Sequence, residues 1–110
     1  MNFFKLIGSE KQIEWAKEII ESGLETISAN IEANEERMSS SKSAKEFFAE
    51  KIELFKEIKS IVDNYYAELG KKHNGEVPAA FIIENRAHLD GNGIIKLSYE
   101  MERRKDDKKI

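Results

Sequence analysis

Apolar residues recur at Ile13, Ala16, Ile20, Leu24, Ile27 and Ile31, at spacings of three and four. That period belongs to a helix with one buried face, and it excludes a strand over the same stretch. Ser9 followed by Gln12 forms a capping-box pattern, so the helix starts there. It is expected to run to about Arg37 or Met38. Gly23 lies in its interior, where it either bends the helix or permits close packing.

A second long helix follows. "MSSSKS" reads as a break, because serine side chains compete for backbone hydrogen bonds. Ser43 and Glu46 repeat the capping-box spacing, which places the next start near Ala44. From Phe47 to Leu69 the apolar arc spans about half the circumference, enough for more than one neighbour. Gly70 is expected just past the end, with Lys71 and Lys72 complementing the helix dipole. A connection as short as the serine turn makes the two helices antiparallel neighbours.

The C-terminal part is smaller. "KKHNGEV" reads as a loop, and Pro78 suits the first position of a third helix, "PAAFIIENRAHL". "DGNG" reads as the turn that ends it. Residues 94–102 fit a helix through Ile94, Leu97 and Met101, and a strand through Ile95, Leu97, Tyr99 and Met101. Helix is favoured. The strand alternative would pair residues 94–101 with residues 2–6 as a short two-stranded element. The fold class is all-α: an antiparallel pair of long helices with a smaller C-terminal helical part. Residues 1–102 form a single domain, and residues 103–110 a charged flexible tail.

Composition narrows the function classes. The chain has 110 residues and no cysteine, which removes disulfides, thiolate metal sites and cysteine nucleophiles. No apolar run approaches the roughly 20 residues that span a bilayer, and "MNFFKLIG" lacks the features of a signal peptide. A cytoplasmic location is expected. The net charge of -3 is uneven. Residues 1–40 hold four Lys/Arg against eight Glu, whereas residues 78–110 hold seven basic and six acidic residues. Direct nucleic-acid binding, which needs a positive patch, is disfavoured.

Catalytic signatures are missing. The sequence has no Walker loop, no GxGxxG and no nucleophile elbow. Glu84 and His88 would share a face of the third helix, near Asp90, and His73 would be the only second imidazole. Zinc wants three or four protein ligands, so no metal site is expected. "DGNG" lacks the ligand set of an EF-hand loop. No catalytic residue, cofactor or small-molecule substrate is expected.

The strongest functional lead is a row of acids. At about 100° per residue, Glu14, Glu18, Glu21, Glu25, Glu32 and Glu36 fall within a sector of about 60° and span about 33 Å. Like charges four residues apart repel by roughly 0.2–0.5 kcal/mol per pair, so three such pairs lose about 1 kcal/mol. A solvated face tolerates that loss. The functional reading is that carboxylates about 6 Å apart imitate a run of phosphates and meet a basic surface of a host protein. Trp15, at the side of the apolar stripe, is a core-edge residue if it packs on the third helix or on Phe3 and Phe4. Exposed, it is an interface anchor. Arg86 either caps the third helix, pairs with an acid of the first, or contacts a partner.

Gly8, Ser9, Lys11, Gln12, Trp15 and Ala16 match a Gly-Ser-x-Lys-Gln-x-x-Trp-Ala pattern. In this the chain resembles a loose set of small proteins from phages and mobile elements of bacteria. "FIIENR" approximates their aromatic-Ile-x-Asn-Arg stretch, with an extra apolar residue between Phe81 and Glu84. The resemblance covers about a quarter of the chain and implies a genomic context without a mechanism. By analogy, the expectation is a non-enzymatic binding protein that inhibits a host enzyme, as anti-CRISPR proteins and other nucleic-acid mimics do. Two alternatives stand beside it. One is a nucleic-acid-binding accessory protein using Arg86, Arg103, Arg104, Lys105, Lys108 and Lys109. The other is a homodimeric helical module using spare apolar surface on the second helix.

Overall fold

The computed structural model describes residues 3–108. The elements in chain order are β1 (Lys5–Ile7), α1 (Glu10–Ser40), α2 (Lys45–Lys72), β2 (Glu76–Pro78), α3 (Ala79–Glu84), α4 (Arg86–Leu89) and α5 (Gly91–Lys108). The long helices α1 and α2 pack on each other, and α3, α4 and α5 close one side. A two-stranded parallel sheet pairs Leu6 with Val77.

The first helix starts where the capping box lies. The Gln12 amide donates to Ser9 Oγ at 3.2 Å, and the Ser9 amide donates to Gln12 Oε1 at 3.1 Å. Two amides that α1 cannot satisfy internally are thereby bonded. Ser9→Ala should lower stability by about 1 kcal/mol, read as a lower urea midpoint with unchanged slope. The helix runs unbroken through Gly23 and ends at Ser40, two residues beyond Met38. Ser40 Oγ donates back to the carbonyls of Glu36 and Arg37 at 3.1 and 3.3 Å, so that serine extends the helix.

The second helix lacks the expected cap. Its N-cap position is Ala44, with no side-chain cap bond. Ser41 Oγ accepts from the Ala44 amide at 3.0 Å, which leaves Ser43 one residue outside the helix start. Gly70 is buried inside α2, and a Cβ there would stand 2.7 Å from the Phe3 carbonyl oxygen. The left-handed residues that release the chain into β2 are Asn74 and Gly75, at φ 54° and 83°. The Gly75 amide donates to the Gly70 carbonyl at 2.7 Å.

The C-terminal part departs most from expectation. The third helix breaks at Asn85, whose Nδ2 donates to the Phe81 carbonyl at 2.8 Å. That carbonyl also accepts from the Asn85 backbone amide at 3.2 Å, so the side chain shares an acceptor of α3. "DGNG" starts a helix instead of ending one. Asp90 is extended at ψ 179°, and its Oδ1 accepts from the Gly93 amide at 2.9 Å, an N-cap geometry. Residues 94–102 are helical, and β1 pairs with β2 rather than with residues 94–101. Helix α5 satisfies its backbone internally, which frees β1 for the chain leaving α2.

Residues 103–108, expected as a tail, continue α5. Glu102 pairs with Lys51 of α2, and Lys105 pairs with Glu57 at 3.6 Å. These contacts hold the last turns against α2; residues 109–110 lie outside the described residues.

The core is one cluster running from Leu6 and Val77 in the sheet through Ala16, Ile20 and Ile27 of α1. It continues through Phe55, Ile58 and Tyr66 of α2 to Ile82, Leu89 and Ile94. Ile19 and Gly23 are buried, while Ile13, Leu24 and Ile31 are only half-buried. The buried line of α1 is thus rotated toward Gly23 relative to the apolar stripe. The α4–α5 corner docks on that side, where Ser22 Oγ accepts from the Gly91 amide at 3.0 Å.

Candidate functional site: the outer face of the first helix

Burial of Ala16, Ile20, Gly23, Ile27 and Asn34 fixes which way α1 faces. At about 100° per residue, the six glutamates lie on the opposite side. Glu14, Glu18, Glu21, Glu25, Glu32 and Glu36 are all exposed. Among the described residues none of them makes an ion pair; the bridges formed lie on α2 and between α2 and α5. Lys17 flanks the row without bridging to it. An unbroken helix carries the row, so the carboxylates keep their spacing along about 33 Å.

A polar ladder runs from the flank of α1 into its buried side. Thr26, Asn30 and Asn34 each donate to the carbonyl four residues back, at 2.8, 2.8 and 2.7 Å. Their polar groups are thereby satisfied within α1. Asn34 can then be buried, at 5% exposure, without a partner from another element.

Trp15 and Arg86 come together at the N-terminal end of the face. Trp15 is 47% exposed, and the Arg86 guanidinium stands over its ring, 5.4 Å from the centroid. Arg86 Nη1 also donates to the Ile83 carbonyl at 2.8 Å, so it caps α3 and holds the indole in one act. Such a stacked pair contributes about 0.5–1 kcal/mol at an exposed site. The indole does not contact the aromatic rings of Phe3 and Phe4, which pack on Tyr66. Reasoning from sequence picked out both residues but not their pairing. It arises because α3 ends at Asn85 and α4 starts at Arg86, a break no periodicity announces.

That break also separates Glu84 from His88, which no longer share a helix. Among the described residues no three His, Cys, Asp or Glu side chains come together as a metal site would need. No described helix is long and apolar enough to cross a membrane. Of the tail cations, Lys105 is paired to Glu57 and sits among the carboxylates of Glu102 and Asp106.

Several apolar side chains remain uncovered, namely Phe47, Ile61 and Tyr65 on α2 and Tyr99 on α5. No family model, no curated protein and no solved structure matches the chain.

Proposed function

We propose that the chain is a non-enzymatic binding protein that presents the outer face of α1 to a basic surface of a host protein. It would occupy a site built for nucleic acid, in the manner of an anti-CRISPR or other nucleic-acid mimic. The phage or mobile-element context rests on the N-terminal motif. The observation that carries the reading is the exposed row from Glu14 to Glu36, held on one helix with no cation paired to it among the described residues. Uncompensated carboxylates at fixed spacing steer a basic partner and lose that pull as salt rises. Trp15, braced by Arg86, supplies an apolar contact at one end.

The test uses the partner recovered from the host. Glu18, Glu21 and Glu25 are replaced together by Gln. Affinity for that partner should fall roughly 10- to 100-fold at low ionic strength, at about 0.5–1 kcal/mol per charge. The salt dependence of binding should flatten, and excess duplex DNA should compete with the wild-type chain for the partner. Unchanged affinity with an unchanged salt slope would reject the mimic.

The uncovered Phe47, Ile61 and Tyr65 favour a second reading, a homodimer through α2. Light scattering on the isolated chain decides it, since a monomer at high concentration leaves no such dimer.

A further inference from the structure

An open groove of about 680 Å³ lies between the first turns of α2 and the last turns of α5. Its lining includes the apolar side chains of Phe47, Ala49 and Leu54. Phe47 is 55% exposed, and its ring is set edge-on to Phe48 at 5.3 Å. Among the described residues, Glu46, Glu50, Glu53, Glu102 and Asp106 stand around this apolar strip with two cations, Lys51 and Lys105. Both cations are engaged, Lys51 with Glu102 and Lys105 with Glu57. Lys51 also lies over the Phe47 ring, 5.4 Å from its centroid. Glu46 and Glu50 make no ion pair among the described residues.

We infer that this groove docks a basic amphipathic helix from another protein. Two helices flank a trough that a third can fill, with apolar anchors laid against Phe47 and Ala49, above the buried Leu54. The lining segment of α2, residues 46–54, spans about 12 Å, which accommodates roughly two turns of such a helix. The surplus of carboxylates selects lysine or arginine at the edges and repels an acidic peptide. None of the six glutamates of the α1 row lines this groove, and its occupant does not depend on their role.

The probe is a synthetic leucine–lysine amphipathic peptide of about 15 residues, compared with its leucine–glutamate counterpart. Calorimetry should detect the basic peptide and not the acidic one. Amide shifts in nuclear magnetic resonance spectra should centre on residues 46–54 and 102–106. Phe47→Ala should weaken binding about tenfold, and the pair Glu46→Lys with Glu50→Lys by at least as much. All these positions are partly or fully exposed, so circular dichroism melting should confirm that the variants fold. Shifts centred on Glu14 to Glu36, or full affinity in Phe47→Ala, would overturn the assignment. No binding of the basic peptide would also overturn it. So would a wild-type dimer that Phe47→Ala dissociates, since the groove would then belong to a second copy.

Discussion

Gly23→Ala is expected to destabilise the fold by about 2–3 kcal/mol, although alanine is the better helix former. Propensity alone predicts a gain of about 1 kcal/mol at an interior helix position. The structure reverses the sign. A Cβ at Gly23 would fall inside the contact radius of the Leu89 carbonyl oxygen, with the Leu89 carbonyl carbon at 3.3 Å and Ile94 at 3.5 Å. The blocking atom is backbone at the α4–α5 corner, and it cannot rotate away. The same corner holds the Gly91 amide against Ser22, so moving it loses that bond as well. Urea unfolding measures the effect. Ser28→Ala, at an exposed position of the same helix, should stay within about 0.5 kcal/mol of the parent. A Gly23→Ala variant as stable as the parent would show that Leu89 does not rest on this face.

Tyr66→Ala should cost about 3–5 kcal/mol, a large part of the 5–15 kcal/mol that holds a typical domain together. Tyr66 is 1% exposed and lies where the residues preceding β1 rest on α2. Phe3 and Phe4 pack on it with ring centroids at 5.5 and 6.0 Å, and Tyr65 at 5.5 Å. Truncation empties the junction between the sheet and the helix pair. Burial, and secondarily the neighbouring Tyr65, push the Tyr66 phenol well above its ordinary value of 10. The fold therefore favours the neutral phenol. Its contribution is complete below about pH 10 and is lost as pH rises from there toward the elevated pKa, by up to about 1.4 kcal/mol per pH unit. Tyr66→Phe should keep the neutral-pH stability within about 1 kcal/mol and remove this part of the alkaline loss. Equal alkaline unfolding of parent and Tyr66→Phe would place the ring in contact with water.

The elements that local sequence dictates emerged where expected, and those that depend on distant backbone did not. Helices α1 and α2 follow from apolar spacing and from Ser9 and Gln12, which act on neighbours within four residues. The exposure of Glu14, Glu18, Glu21, Glu25, Glu32 and Glu36 follows from the same period. The chemistry of "DGNG" is ambiguous by comparison. Asp and Gly end helices, but Asp90 also caps the start of α5, and which occurs depends on what Gly91 and Gly93 pack against. Gly93 sits where a Cβ would strike the Ala87 and His88 backbone, so close packing explains its place better than a turn does.

The sequence by itself determined the two long helices, the short link that folds one back on the other, and the acidic outer side of the first. Those rest on hydrogen bonds and side-chain neighbours within a turn of helix, which a reader of spacing can count. Only the tertiary structure decided that α1 turns its glycine side inward, that β1 pairs with β2, and that Arg86 meets Trp15. Each of these joins groups far apart in the chain. Their free energy depends on how closely two backbones approach, and residue spacing along one segment carries no record of that distance.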